Sequence, residues 1–236
     1  SSEKLQAAQA DLDKVLRETA RILSLNRASP ASAYDEYVPF FIYAQYLQEV
    51  RDAKLEIEQI TIRQLESNGL AQINALKHTE AEKTFARVGA IEGGSDIAKA
   101  GLLAIAVQKA LAGKNYAVAF EKLIGIRSIH PASAFLKAHY EKTQLLLMNT
   151  RLAEVDALIA KGALPGFIAA LEKLAEFLDP TKGVAQGNAK FLATIEKRTG
   201  LLRSMVATDL IHRVAQLKKE GATLYPSLIL RRVRPA

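Results

Sequence analysis

Apolar residues recur along most of this chain at the three- and four-residue intervals that place them on one side of an α-helix. Residues 1–24 show the pattern first, with charged residues on one side and an apolar seam on the other that comprises Leu5, Ala8, Leu12, Leu16 and Leu23. A seam of this kind predicts packing against another helix, in this chain or in a partner. Residues 26–32 interrupt the pattern with turn-forming residues and are expected to form a polar linker.

Two consecutive helical hairpins are predicted between residues 95 and 180. Ser95 is a typical residue before a helix, and the alanine- and leucine-rich run after it has one internal glycine, Gly101. Gly113 is expected to end this helix by adopting a left-handed backbone conformation, which costs a glycine no steric strain. The return helix is expected to end before Pro131. Its apolar side is expected to contain Val118, Leu123 and Ile126.

The second hairpin repeats this order of signals. Pro131 suits the first position of a long helix, where its missing N–H costs no hydrogen bond. Gly162 is expected to stop that helix, Pro165 to open the return helix, and Pro180 to close it.

Further helices are expected on both sides of the hairpins. Residues 47–77 contain isoleucines that alternate with polar residues, as in a strand, but no turn signal interrupts them, which favours a helix. Thr79 is expected to cap a shorter helix to about Val88. Asn188 is expected to cap a long one that ends near Glu220 and buries Phe191, Ile195, Leu202, Val206 and Leu217.

Together these elements predict an all-α protein of stacked antiparallel helical hairpins, either an irregular α-solenoid or a helical bundle. Its expected parts are an N-terminal amphipathic helix at 1–27, a helical-hairpin domain at 34–180, a long helix at 188–220 and an extended basic tail at 221–236. The tail is expected to be extended because prolines lie on both sides of its apolar triplet.

The two return helices are similar to each other at a spacing of 51 residues. Residues 119–123 (Ala-Phe-Glu-Lys-Leu) correspond to residues 170–174 (Ala-Leu-Glu-Lys-Leu), and Tyr116 corresponds to Phe167. Over residues 113–131 the chain resembles a tetratricopeptide-type repeat, in that a turn glycine, an aromatic residue, a small packing alanine and a terminal proline stand at Gly113, Tyr116, Ala119 and Pro131. The resemblance implies stacked helical units, although this period differs from the family's unit of about 34 residues.

Length and composition bound the class of protein. With 236 residues, 49% hydrophobic and 24% charged, the chain is an ordinary globular sequence long enough to bury a core. The absence of cysteine excludes disulfides, thiolate metal ligands and cysteine nucleophiles. No apolar run is long enough for a transmembrane helix, and no secretory or transit signal is visible. The chain begins at Ser1 without methionine, as a processed organellar or periplasmic protein would; a cytoplasmic location stays open.

The net charge of +7 is concentrated at one end. Residues 197–236 contain nine basic and two acidic residues, whereas the preceding 196 contain 23 of each sign. A basic end indicates an acidic partner: a protein surface, anionic lipid headgroups or nucleic acid. No nucleic-acid-binding motif accompanies the charge, which makes that partner the least favoured.

Two segments are candidates for binding a protein partner. Residues 34–46 are the most aromatic stretch, and their rings either close the end of the helical core or form a docking surface. The stretch 28–50 has no lysine or arginine, which disfavours stacking on nucleic-acid bases. The tail combines apolar and basic residues. The partner-binding residues predicted from both segments are Tyr37, Phe40, Phe41, Tyr43, Tyr46, Tyr225, Leu228, Ile229, Leu230, Arg231, Arg232 and Arg234.

No catalytic, cofactor-binding or metal-binding pattern is present. The histidines do not occur in pairs three or four residues apart, and the glycine-rich stretches 92–95 and 182–187 lack the ending of a phosphate-binding loop. We therefore expect a non-catalytic scaffold, adaptor or structural subunit of a multiprotein assembly, without metal or cofactor. A peripheral membrane-surface or nucleic-acid binder that acts through the basic C-terminal 40 residues is the alternative, and a helical enzyme comes third.

Overall fold

The computed structural model describes residues 2–91, 95–162, 164–178, 184 and 188–219. Within these ranges the chain is almost entirely helical and has no β-strand, so the prediction of an all-α protein is confirmed. The helices are α1 (Ser2–Asn26), α2 (Pro30–Tyr37), a 3-10 helix (Val38–Gln45), α3 (Gln48–Asn74), α4 (His78–Ala90), α5 (Asp96–Ala112), α6 (Tyr116–Ile129), α7 (Ala134–Ala160), α8 (Leu164–Leu178) and α9 (Ala189–Lys219).

The chain divides into two compact units, residues 1–139 and residues 140–236. The division falls within α7, and also within the predicted hairpin domain 34–180. Several predicted features lie outside the described residues: Pro180, most of the glycine-rich segments 92–95 and 182–187, Glu220 and the whole tail 221–236.

Four helix-terminus predictions need correction. Residues 30–32 belong to α2 rather than to a linker, because Pro30 occupies the first turn of that helix, where it is well tolerated. Thr79 lies inside α4, whose preceding residue is Lys77. Pro131 precedes α7 instead of opening it, since Ser133 provides the cap by accepting a hydrogen bond from the Leu136 N–H at 3.4 Å.

The fourth correction concerns the turn between α5 and α6. Gly113 has φ −81°, and the left-handed residue is Lys114, at φ 55°. The Asn115 N–H reaches the Ala110 carbonyl and the Lys114 N–H reaches the Leu111 carbonyl, the hydrogen bonds of a Schellman motif displaced by one residue from the glycine. Gly162, by contrast, has the predicted left-handed conformation, with φ 65°.

The core of the first unit begins where the second half of α1 packs on α2, the 3-10 helix and α3. A hydrogen bond and an ion pair connect α2 to its neighbours: Thr61 Oγ1 of α3 donates to the Pro30 carbonyl at 3.0 Å, and Arg87 of α4 pairs with Asp35 of α2 at 2.6 Å. The buried apolar residues of this cluster are Val15, Ile22, Ala33, Tyr37, Val50, Ala53 and Ile57.

Helices α3, α4 and α5 meet at one ring, that of Phe85, which is 1% exposed. The ring tip lies against two helical glycines, Gly69 on α3 and Gly101 on α5. A Cβ added to either glycine would stand 2.5 Å or 2.4 Å from Phe85 Cζ. The internal glycine of α5 is therefore explained by close approach of an aromatic side chain, rather than by a bend.

Both helices of the α5–α6 hairpin begin at a side-chain cap, and Ser95 is the one predicted. The Ser95 hydroxyl accepts hydrogen bonds from the N–H groups of Ile97 and Ala98, and the Asn115 side chain accepts one from Val118 N–H. Val118 itself is 37% exposed, so its predicted place on the apolar face is wrong. The residues that α6 buries are Ala119, Phe120, Leu123 and Ile126.

In the second unit, α8 packs antiparallel to α7. Lys173 pairs with Glu154, and one helical turn along α8 Glu176 lies 3.8 Å from Arg151. Arg198 of α9 reaches Asp156 of α7 at 2.7 Å. The apolar face of α9 buries Phe191, Ile195, Leu202 and Val206 as predicted, but Leu217 is 38% exposed because it lies near the helix end, beyond the covered part.

Candidate functional site

An open groove of about 660 Å³ lies between α1 and the 3-10 helix. Aromatic and aliphatic side chains dominate its lining, with one acidic and one basic residue from α1. The lining residues are Ala8, Asp11, Leu12, Lys14, Val15, Phe40, Tyr43, Tyr46 and Leu47.

Tyr37 anchors the aromatic wall of this groove from inside the core. It is fully buried, its ring stacks on Phe40 at 5.7 Å and meets Phe41 edge-on at 5.8 Å. Its hydroxyl lies 3.1 Å from Thr19 Oγ1 and donates to the Val50 carbonyl at 3.3 Å. Burial raises the pKa of the Tyr37 phenol, partly offset by the hydrogen bond with Thr19.

The five aromatic residues predicted to bind a partner divide between core and surface. Tyr37 cannot contact a partner, because it is completely enclosed; its role is structural and the prediction for it is corrected. Phe40 and Phe41 are half-buried against the core, and Lys54 Nζ stands 5.1 Å from the centre of the Phe41 ring. Tyr43 and Tyr46 are 41% and 75% exposed and line the groove.

The 3-10 geometry aligns the aromatic residues of this wall. With three residues per turn, Phe40 and Tyr43 follow one another along the same side of the segment. Tyr46, three residues further on, is the residue at the C-cap. These three aromatic side chains therefore form one row along the groove.

The opposite wall of the groove belongs to a seam along one side of α1, and this seam differs from the predicted one. Its buried positions are Val15, Thr19, Ile22 and Asn26, at alternating four- and three-residue spacing. Leu16 and Leu23, which were predicted to belong to it, are half-buried at its edge. Extended towards the N-terminus, the same spacing passes through Leu12, Ala8 and Leu5.

The two halves of this seam differ in burial. From Val15 onwards the seam is buried, whereas residues 3–10 are exposed and Leu5 reaches 74% exposure. Leu12 and Val15 lie at the transition and line the groove. The seam thus continues out of the core into the groove and beyond it along an uncovered stretch of α1.

The part of the chain that the structure describes holds no group of three or more histidine, aspartate or glutamate side chains positioned to hold a metal ion. No helix in it has the length and apolar character needed to span a bilayer. The predicted tail residues Tyr225, Leu228, Ile229, Leu230, Arg231, Arg232 and Arg234 lie outside the described ranges.

Comparisons with protein-family models, with curated proteins and with solved structures found no match to this chain. Its function therefore has to be argued from its own residues.

Proposed function

We propose that this chain is a non-catalytic docking module, a scaffold, adaptor or structural subunit of a multiprotein assembly, whose α1/3-10 groove binds an amphipathic helix of a protein partner. The observation that carries the proposal is the α1 seam, which is packed by this chain over residues 15–26, half-buried at Leu12 in the groove, and exposed at Ala8 and Leu5.

A helix is the occupant that fits the groove's construction. Amphipathic helices bind in apolar grooves through side chains at three- and four-residue spacing, and the open half of the α1 seam presents the same spacing. Tyr43 and Tyr46 stand on the facing wall, and tyrosine is enriched where proteins meet, because its ring buries a large area at little cost in conformational entropy.

The charge around the groove is compatible with this occupant. Its lining includes Asp11 and Lys14, one of each sign, so neither a strongly acidic nor a strongly basic partner is required. Binding should then depend mainly on apolar burial and only weakly on salt concentration.

The stacked-hairpin arrangement and the resemblance to tetratricopeptide repeats belong to the same proposal. Their support is that equivalent positions of the two return helices are buried alike: Ala119 and Ala170 are both fully enclosed, as are Leu123 and Leu174.

A photo-crosslinking experiment on the full chain tests the groove. p-Benzoyl-phenylalanine at position 43 is compared with the same group at position 102, because Tyr43 and Leu102 are equally exposed, at 41%. We expect position 43 to crosslink a partner segment with helical apolar spacing, and position 102 not to do so. Equal crosslinking at both positions would contradict the proposal.

Matched variants then measure the contribution of the seam to binding of that partner segment as a synthetic peptide. Leu5→Ser and the double variant Tyr43→Ala/Tyr46→Ala should each lower affinity at least tenfold, since a central interface side chain contributes about 2 kcal/mol or more. Leu201→Ser is the control, because Leu201 is an equally helical leucine, 59% exposed on α9. Unchanged affinity in the seam variants would exclude the groove.

A second candidate function is binding of an anionic membrane surface or nucleic acid by the basic end of the chain. Its support is the excess of basic residues in residues 197–236. In that case binding would fall steeply with salt concentration. Charge reversal at Arg231, Arg232 and Arg234 would abolish it while Leu5→Ser left it unchanged.

A further inference from the structure

A second concave site lies in the first unit, away from the α1/3-10 groove. It is a cavity of about 290 Å³ bounded by α3, α5 and the first turns of α7. Most of its wall is apolar and comes from three helices, with Leu70 and Ile73 on α3, Ile97 and Ala104 on α5, and Phe135 and Ala138 on α7. This volume is close to the lower end of the range for small-molecule sites, roughly 300–1,000 Å³.

The polar side of the cavity is assembled from helix ends. Asn74 is the last residue of α3, His130 follows the last residue of α6, and Ser133 precedes α7. Helix ends carry polar side chains that satisfy unpaired backbone groups, and here three such ends converge on one apolar chamber. The fourth polar residue, His139, lies one and a half turns into α7.

The orientation of the His139 ring is fixed by two contacts within its own helix. Its Nδ1 lies 3.0 Å from the Phe135 carbonyl, to which it can only donate, and its ring stacks on that of Phe135 at 4.1 Å with an interplanar angle of 16°. With the proton on Nδ1, the neutral imidazole offers Nε2 as a hydrogen-bond acceptor. Among the residues that the structure describes, no carboxylate, lysine or arginine lines the cavity.

We propose that this cavity binds a small molecule with an apolar body and a single hydroxyl head group. The apolar walls bury the body, and the hydroxyl hydrogen-bonds to the polar residues at the converging helix ends. Charged head groups are disfavoured: an ammonium would lose its hydration without gaining a carboxylate partner, and a carboxylate would gain no lysine or arginine and has no proton to donate to Nε2. The inference does not depend on the docking groove, since the two sites share no lining residue.

The test is a titration of the isotopically labelled full chain, followed by NMR, with benzyl alcohol, benzoate, benzylamine and toluene as probes. We expect benzyl alcohol to give saturable shifts concentrated in residues 97–104 and 133–139, and benzoate and benzylamine to bind at least tenfold more weakly. The two charged probes decide whether the cavity requires a neutral head group.

Two variants separate binding in the cavity from non-specific association. Ala138→Leu fills the cavity from an exposed position of α7, where leucine is a good helix former, and should abolish saturable binding. Ala117→Leu is its control, as Ala117 is exposed on α6 and does not line the cavity. His139→Phe preserves the ring stack and removes Nε2, so the affinity for the preferred probe should fall to that for toluene.

The outcomes that would overturn the proposal are equally defined. Absence of saturable binding of benzyl alcohol up to its solubility limit would exclude the site. So would wild-type binding by Ala138→Leu, or benzoate or benzylamine binding as tightly as benzyl alcohol.

Discussion

The Phe85 ring lies against two glycines, Gly69 and Gly101, and adding one methyl group to a glycine tests how much this contact matters to the stability of the first unit. Adding one methyl group at Gly101 places a carbon 2.4 Å from Phe85 Cζ and 2.5 Å from Cε2, well inside van der Waals contact. The ring cannot simply move aside, because it is 1% exposed and its tip also lies against Gly69, where an added Cβ would be 2.5 Å away. The ring, or one of the helices, has to shift.

Two opposing contributions determine how much Gly101→Ala changes the free energy of unfolding. Overpacking a well-filled core costs roughly 1–3 kcal/mol, whereas replacing glycine by alanine inside a helix gains about 0.8–1 kcal/mol. We therefore expect a net loss of about 0–2 kcal/mol in the free energy of unfolding. Gly89→Ala on α4 is the matched control, because an added Cβ there meets no atom within 4 Å. It should gain about 0.5–1 kcal/mol.

Guanidinium unfolding followed by far-UV circular dichroism gives these differences. Hydrogen exchange of α5 peptides then assigns the transition to the first unit. A smaller side chain should relieve the clash, so the cost of Gly101→Ala should be lower in a Phe85→Leu background, by about 1 kcal/mol of coupling. Should Gly101→Ala stabilise the protein as much as Gly89→Ala does, or should the two substitutions prove additive, the close approach of Phe85 would be refuted.

Two further predictions concern Tyr37 and the α5–α6 turn. Because the pKa of Tyr37 is raised in the folded state, its contribution to stability is complete below the unfolded value of about 10 and is lost as pH rises through the folded value. Tyr37→Phe should therefore cost about 0.5–1.5 kcal/mol near neutral pH and show a shallower loss of stability than the wild type between about pH 9 and pH 11, measured by denaturant titration at each pH. Lys114→Gly should gain about 0.5–1 kcal/mol, since Lys114 holds the left-handed conformation, whereas Gly113→Ala should be tolerated at φ −81°. Thermal unfolding midpoints measure both, and a large loss in Gly113→Ala would contradict the assigned turn.

The helix ends show what local sequence can predict. Ser95 and Gly162 act as expected because a helix end depends on one residue and the few backbone groups beside it. The same local reasoning failed at Lys114, because hydrogen bonds from the α6 end of the turn decide which residue becomes left-handed. The prediction for Val118 was wrong for a different reason. The sequence of α6 is apolar on several sides, so the helices that pack against α6 determine which side is buried.

The candidate sites were only partly visible in the sequence. The aromatic composition of residues 34–46 indicated where a surface of interest would be, but helical periodicity could not separate Tyr37 from Tyr43, because the segment changes from an α-helix to a 3-10 helix between them. The cavity left no sequence signal. His130 and His139 lie on different helices or helix ends, and their spacing matches no ligand motif, so only the fold brings them together.

The distribution of polarity along α1 bears most directly on function. The covered half of the seam contains two polar residues, Thr19 and Asn26, beside Val15 and Ile22, whereas Leu5 is 74% exposed at the uncovered end. A leucine gains about 1.5–3 kcal/mol from full burial and almost nothing when exposed, so Leu5 adds little to the stability of this chain alone. Its place in the seam is accounted for if the N-terminal half of α1 is buried by a second protein, which is why Leu5→Ser is expected to leave folding intact and to weaken docking.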